Sequence, residues 1–267
     1  NKLKDGYKGD IVYRDQVVKY LSVSEIIINE EYSKIVDMQE VAEQSYDFME
    51  AYIMTRDLVN KKMDDEHQIL SDGQKEFAKK YKITLTEGDS ELSKKMKISN
   101  EVFGYHTEFY LIFFKCYITD LMLSKAIETK DISSIQQNAS SLQSYADEGL
   151  EKLSKKQPFK NDKALIESTK KSMELYKKVA TEYASAVIDF FMFNTKFEEA
   201  KASLERKKDN ERSKEEIDNF NQMVKEINKK INDYNKINSK QIQDKNNMIN
   251  QWNTTGDQFI SRYVPND

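Results

Sequence analysis

The chain has 267 residues, a formal net charge of −4, 33% charged and 38% hydrophobic residues. Its 7 Gly and 2 Pro are too few for the turns of a β-sandwich or a multi-strand α/β fold, and 1 Cys excludes an internal disulfide framework. The mild acidity disfavours a general nucleic-acid surface, and no apolar run reaches the length of about 18 residues that predicts a transmembrane helix.

The first predicted boundary separates a tail from the rest of the chain. Gly6 and Gly9 stand among charged residues, so residues 1–21 are predicted to be an N-terminal tail or linker. The remaining residues, 22–267, are predicted to form a single helical-bundle domain.

A long first helix is expected to follow the tail. Ser22 and Glu25 match a capping box, in which each side chain accepts a hydrogen bond from a backbone amide of the other. Apolar or small residues then recur at steps of three, four and seven, which is one helical face. They are Ile35, Met38, Ala42, Ser45, Met49, Tyr52, Val59 and Met63. The pattern predicts one helix from about residue 22 to about residue 70.

A loop and a strongly apolar helix come next. Residues 83–98 are predicted to be a loop with a short extended or helical insert, because they alternate briefly and contain Gly88. A second helix is expected from Ser99 or Asn100. Its residues 102–127 are apolar almost all round, which predicts a largely buried element.

Three more helices complete the chain. The third is expected from residues 131–133 and ends before Pro158, and the fourth is capped by Asn161 or Asp162. Ser213 opens the fifth by another capping box. Helices of this length do not fit inside a sphere of this mass. We therefore predict an all-α fold, an elongated antiparallel helical bundle of about five helices, three long (about 45–50 residues) and two shorter.

The histidines are the first candidates for catalytic or metal chemistry. A di-iron carboxylate centre needs Glu-x-x-His on two helices, and neither His67 nor His106 has that Glu. The two His remain able to meet across a core beside Glu66 or Glu108. The alternative is that His67 is exposed near a helix end and His106 packs beside aromatic residues.

Other reactive groups also lack the pattern of an active site. Cys116 lies in the apolar helix, where a buried Cys behaves as a small hydrophobic residue. No phosphate-binding, hydrolase or metalloprotease motif occurs. The sequence therefore predicts a protein that is not an enzyme, with no catalytic residues, no cofactor and no metal.

Aromatic residues are concentrated on the second and fourth predicted helices. They are Phe103, Tyr105, Phe109, Tyr110, Phe113, Phe114 and Tyr117, and Tyr183, Phe190, Phe191, Phe193 and Phe197. Packing in the core is one interpretation, and a pocket or patch for an apolar ligand or a partner is the other. Phe191 and Phe193 are the candidate ligand or partner contacts, because Phe190, Phe191 and Phe193 cannot all point along one stripe.

The end of the chain carries a resemblance. Residues 234–238, 248–253 and 259–265 resemble the ends of uncharacterised exported helical-bundle proteins, often lipoproteins, of Gram-negative bacteria. The resemblance implies a periplasmic or outer-membrane-anchored location, with a lipid anchor upstream of Asn1. A cytoplasmic location is the alternative.

Three functions agree with these patterns. The leading hypothesis is a non-enzymatic exported helical bundle that acts by binding or scaffolding, with a protein partner or a small apolar ligand and no nucleic acid. The first alternative is a sensory or ligand-binding bundle that holds a small apolar ligand in the aromatic zone around Phe113 and Phe190. The second is a membrane-bending or coiled-coil scaffold, which predicts a stable dimer.

Overall fold

The computed structural model of the chain describes residues 4–86 and 91–265, apart from the side chain of residue 40. Residues 1–3 of the predicted tail and residues 87–90 of the predicted loop lie outside the described residues. The predicted all-α class is confirmed. Within the described ranges there is no strand, and the backbone forms two isolated antiparallel bridges, Tyr7–Asp10 and Phe159–Asp162.

The chain divides into two compact units, Asn1–Lys94 and Lys95–Asp267. We call them unit 1 and unit 2 and describe each by itself. The expectation of a single domain over residues 22–267 stays a prediction. The described residues contain six continuous helices, one more than the five expected, because the first predicted helix is two helices.

Unit 1 is built from two long helices. The first comprises α1 (Val12–Ile26), a π turn (Ile27–Glu31) and α2 (Tyr32–Ala42), which follow one another without a break. The second is α3 (Tyr46–Tyr81). Gly73 lies inside α3 without ending it, because it is buried against Gln16 of α1.

The first helix begins earlier than the sequence predicted. The predicted start at Ser22 is wrong by ten residues, because α1 begins at Val12. Asp10 explains the difference: its Oδ1 accepts a hydrogen bond from the Val12 amide at 3.0 Å, which satisfies one of the free donors of the helix start. Much of the predicted tail is therefore helix.

The predicted helix over 22–70 is also wrong in its continuity, because the chain turns at residues 43–45. The Gln44 amide donates to the Val41 carbonyl at 3.0 Å, and Ser45 accepts from the Phe48 amide at 3.2 Å as the N-cap of α3. The apolar pattern continues across this break because Ala42, before the turn, and Met49, after it, are both buried. A turn without Gly or Pro left no signal in the periodicity.

The core of unit 1 lies along the seam between its two helices. Ile27, Ile35 and Val59 are buried at its centre. Contacts along the seam join the start of the first helix to the end of α3 and continue toward the turn. They are Tyr13–Phe77, Tyr20–His67, Ser24–Met63 and Tyr32–Asn60.

Unit 2 holds four helices, of which the third again contains a π turn. They are α4 (Glu91–Glu128), which begins at the end of unit 1, α5 (Ile132–Ser154), α6 (Ala164–Lys178) with the π turn (Val179–Tyr183) and α7 (Ala184–Glu205), and α8 (Lys214–Tyr263). Helix α4 begins eight residues before the predicted start at Ser99.

Short polar side chains begin the later helices, as the sequence predicted. Asp131 accepts from the Ser134 amide at 3.1 Å, and Asp162 accepts from the Ala164 amide at 2.8 Å. The capping box at α8 is confirmed, since the Ser213 hydroxyl accepts from the Glu216 amide and the Glu216 carboxylate accepts from the Ser213 amide. These signals were readable because a cap involves only residues three apart.

The core of unit 2 is larger than that of unit 1. Helix α4 supplies ten buried residues, among them Phe109, Phe113 and Leu123, and the continuous α6–α7 helix supplies eleven. The α6–α7 helix and the residue Asp162 just before it contact α8 along its length. From the start of α6 to the end of α7, the contacts are Asp162–Arg262, Thr169–Trp252, Tyr183–Asn238, Phe190–Tyr234 and Phe197–Phe220.

Candidate functional site

A cavity of about 1080 Å³ lies in unit 1. Residues 4–10 form one wall through Tyr7, and α1 forms another through Tyr13, Val17 and Val18. Phe77 of α3 also lines the cavity. Aromatic and aliphatic side chains with a few polar groups are the usual lining of a small-molecule site.

The wall formed by residues 4–10 depends on glycine. The backbone folds back so that the Tyr7 amide donates to the Asp10 carbonyl at 3.1 Å and the Asp10 amide donates to the Tyr7 carbonyl at 3.0 Å. Gly6 has φ +67°, and a Cβ there would lie 2.1 Å from the Asp10 carbonyl oxygen. Gly6 and Gly9 therefore lie in a hydrogen-bonded turn and not in an irregular tail.

Asp10 joins this turn to both helices of unit 1. Its Oδ2 accepts from Lys80 Nζ at 2.6 Å and from the Tyr81 hydroxyl at 2.9 Å. The Lys80 ammonium, followed by the Val12 amide and the Tyr81 hydroxyl, lowers the pKa of Asp10 to about 2. The carboxylate is therefore ionised at every ordinary pH and holds the wall of the cavity against the end of α3.

The aromatic residues that line the cavity belong to a larger cluster of ring contacts. The ring centroids of Tyr7 and Tyr81 are 4.9 Å apart, and those of Phe77 and Tyr81 are 4.8 Å apart. Tyr13 stacks on Phe77 at 5.3 Å. Sequence reasoning missed this site. The sequence does place aromatic residues on both sides of the glycine-containing turn. They lie more than sixty positions before the α3 residues that they contact, so the sequence did not show that these residues come together.

A second group of polar side chains lies in the interior of unit 2. Lys245 Nζ of α8 donates to Asp120 Oδ2 of α4 at 2.7 Å and to the Ser124 hydroxyl at 3.3 Å. The side chain of Asp120 is only 6% exposed and that of Lys245 only 17%. Burial raises the pKa of Asp120, and the charge and hydrogen bond of Lys245 oppose that rise.

Three polar atoms of this interior have no hydrogen-bond partner among the described residues. They are Asp120 Oδ1, the Tyr176 hydroxyl and Gln241 Nε2. Gln241 lies one turn before Lys245 on α8, and the Asp120 charge raises the pKa of Tyr176 after the larger effect of burial. An unpaired buried polar atom costs free energy, so these three atoms lower the stability of the core that contains them.

The π turn of α6–α7 lies beside the same layer. Its last residue, Tyr183, donates its hydroxyl to Asn238 Oδ1 of α8 at 2.6 Å. A π turn inserts one extra residue into a helix and occurs often at functional sites. We call Asp120, Tyr176, Tyr183, Gln241 and Lys245 the polar layer.

Cys116, His106 and His67, the reactive residues considered from the sequence, each lie in a different environment. Cys116 is buried with its Sγ 3.6 Å from Met173 Sδ, and burial raises the pKa of its thiol to about 12. His106 of unit 2 lies 5.8 Å from Trp252, and His67 of unit 1 lies 6.2 Å from Tyr20, both between ring centroids. Over residues 4–86 and 91–265, no three His, Cys, Asp or Glu side chains are grouped as metal ligands are.

The predicted aromatic zone is divided among several contacts. Phe113 stacks on Trp252 with centroids 4.3 Å apart, and Phe190 stacks on Tyr234 at 4.6 Å. The two candidate contacts differ in environment. Phe191 is buried, whereas Phe193 is partly exposed with Lys230 Nζ 5.2 Å from its ring centroid. A role for either in ligand or partner binding stays a prediction.

His106 predicts how the stability of unit 2 depends on pH. Burial lowers its pKa from 6.5, with Asp257 opposing, so between 6.5 and the lowered value the unfolded chain binds a proton that the folded chain does not. Stability is therefore expected to fall as pH drops from about 7.5 to about 5.5, before most carboxylates titrate. Urea unfolding followed by Trp252 fluorescence measures this, because Trp252 is the one Trp of the sequence.

Two variants test the assignment. His106→Gln is expected to remove most of this pH dependence, whereas His67→Gln, in unit 1, is expected to leave it unchanged. Equal loss of stability in the wild type and in H106Q would contradict the prediction.

Within the described ranges no helix combines the length and apolarity that a bilayer span requires. No protein-family model, curated protein or solved structure matches this chain, so its function is inferred from its own residues.

Proposed function

We propose that this chain is a non-enzymatic binding protein that holds an apolar or amphipathic small molecule in the cavity of unit 1. The observation that carries the proposal is the cavity itself. Its volume of about 1080 Å³ is slightly above the range of about 300–1,000 Å³ typical of small-molecule sites.

The lining indicates the chemistry of the ligand. Tyr7, Tyr13, Val17 and Phe77 offer aromatic and aliphatic surface for an apolar body. Arg14 lies at the same cavity, where its guanidinium donates to Asp15 at 2.8 Å and to the Lys4 carbonyl. A ligand with a polar group at one end would place that group beside these charges.

The aromatic zone around Phe113 and Phe190 is the alternative site. The tight stacking of Phe113 on Trp252 argues for a core role there. The cavity beside Phe190 and Tyr234 has a volume of about 200 Å³, which suits a few waters better than an apolar ligand. We therefore favour unit 1 as the ligand-binding part.

Binding of the fluorescent apolar probe N-phenyl-1-naphthylamine tests the proposal. The full chain is expected to bind it saturably, near one probe per chain. Val17→Trp replaces a small lining side chain with an indole ring that obstructs part of the cavity, and it is expected to weaken binding by about tenfold or more, the equivalent of 1.4 kcal/mol.

Leu21→Trp is the matched control, because Leu21 is one turn further along α1, exposed, and outside the cavity lining. It is expected to bind the probe as the wild type does. Unsaturable binding, or equal weakening in both variants, would refute a site in this cavity.

Two finer expectations are retained as proposals. The antiparallel arrangement of the bundle is supported in unit 2 by residue numbers that rise along α6 and α7 while they fall along α8, from Asp162–Arg262 to Phe197–Phe220. Export to the periplasm or to an outer-membrane anchor rests on the resemblance of residues 234–265 alone, and a cytoplasmic location is its alternative.

A further inference from the structure

The charged residues that line the unit 1 cavity differ in whether they already have a partner of opposite charge. Two are anionic and two are cationic, namely Asp10, Asp15, Lys4 and Arg14. Asp10 pairs with Lys80, which lies outside this lining, and Asp15 pairs with Arg14. Within residues 4–86 and 91–265, the Lys4 ammonium has no hydrogen bond or ion pair. The charge that the cavity leaves unneutralised is therefore positive.

The other charges of the turn over residues 4–10 do not reverse this excess. Asp5 and Lys8 are exposed residues of the same turn, outside the cavity lining, and have opposite signs. Together they add no net charge at the cavity, so the positive excess belongs to Lys4.

Arg14 offers hydrogen-bond donors beside this charge. Of the five N–H groups of its guanidinium, those on Nε and Nη2 each donate to Asp15 Oδ1, and one on Nη1 donates to the Lys4 carbonyl. The other two have no partner among the described residues. The Asp15 side chain is 56% exposed, and an ion pair so exposed contributes little, so it does not bar an anion from the guanidinium.

Apolar side chains border these cationic groups on the same helix face. Val17 and Val18 lie three and four residues after Arg14, so the three side chains share one face of α1. Tyr13 and Phe77, which stack on each other, add aromatic surface to the same lining. The cavity thus joins an apolar surface to a cationic one, which is complementary to a molecule with an apolar body and an anionic head.

We infer that the ligand of this cavity is an amphipathic anion, whose carboxylate or phosphate head binds Lys4 and Arg14. The inference rests on the proposed function, because it names the ligand class of the same cavity. The planar guanidinium suits both kinds of head, since each presents two oxygens to parallel N–H groups. A cationic ligand is disfavoured because Asp10 and Asp15 already have cationic partners and the Lys4 ammonium would repel it.

Displacement of N-phenyl-1-naphthylamine from the full chain tests the ligand class. Four competitors share one ten-carbon chain and differ in the head: decanoate, decyl phosphate, decan-1-ol and decyltrimethylammonium. At about pH 8, where carboxylates are ionised, at least one of the two anions is expected to bind about tenfold more tightly than the alcohol. The cation is expected to bind most weakly, and the tighter anion identifies the head.

A charge reversal tests the assignment to Lys4. Its carbonyl, and not its side chain, accepts the hydrogen bond from Arg14, so Lys4→Glu keeps that contact. The variant is expected to lose the preference for the anion over decan-1-ol and to bind the neutral probe within about twofold of the wild type. Lys8→Glu makes the same change on the same turn, outside the lining, and is expected to keep most of the preference.

The outcomes separate this inference from the proposed function. Saturable probe binding without a preference for either anion overturns the ligand class and leaves the cavity as a binding site. Equal loss of the preference in K4E and K8E also overturns it, because a general field of the turn would then explain the selectivity. A wild type that binds neither the probe nor decanoate, measured directly by calorimetry, overturns both proposals.

Discussion

Replacing Lys245 with Met is expected to destabilise unit 2 by about 3–5 kcal/mol. The variant leaves the Asp120 carboxylate, which is 6% exposed, without its 2.7 Å partner. Asp120 Oδ1 already has no hydrogen-bond partner among the described residues, so no second donor compensates for the loss. Urea unfolding followed by the fluorescence of Trp252 measures the effect within unit 2.

The double variant Asp120→Leu with Lys245→Met separates two explanations. It removes both charges, so it is expected to be about as stable as the wild type or more stable, because the desolvation cost of the pair disappears with it. Lys240→Met, an exposed lysine of the same helix, is the control and is expected to change stability by less than about 0.5 kcal/mol. A loss in the double variant equal to that in K245M would contradict this account of the pair.

Replacing Phe113 with Ala is expected to destabilise unit 2 by about 3–5 kcal/mol. The Phe113 ring stacks on Trp252 at 4.3 Å and lies 6.1 Å from both Tyr176 and Tyr117, between ring centroids, so its removal leaves a cavity among three aromatic neighbours. Thermal unfolding followed by far-ultraviolet circular dichroism measures the loss without depending on the altered surroundings of Trp252.

Phe103 provides the matched control on the same helix. It is about half exposed, so Phe103→Ala removes the same atoms with little cavity formation and is expected to cost less than about 1 kcal/mol. Similar losses in F103A and F113A would show that helix propensity, and not packing, dominates the effect at both positions.

The sequence predicted the helical class and several helix starts, because these depend on residues close together in the chain. Ser213 and Glu216 illustrate this, since their reciprocal hydrogen bonds are a property of four consecutive residues. The start of α1 and the turn at residues 43–45 were not predicted. Asp10 was hidden among the charges of the supposed tail, and the turn preserves the apolar period of its two helices.

The candidate sites were less accessible to sequence reasoning. Asp120 was visible as a charge within an apolar stretch, but its partner Lys245 lies 125 positions away. The aromatic residues around the unit 1 cavity were likewise separated along the chain. Nothing in the local pattern distinguished Tyr7 and Tyr13 from surface aromatics.

By itself, the sequence determined that this chain forms long helices with buried apolar faces, since helical hydrogen bonds join residues four apart and the period of 3.6 is written in the order of residues. Only the tertiary structure decided which faces meet, where the cavity opens and which buried charges pair. Those features depend on packing between distant side chains, and the helical period does not encode which helix a given face will contact.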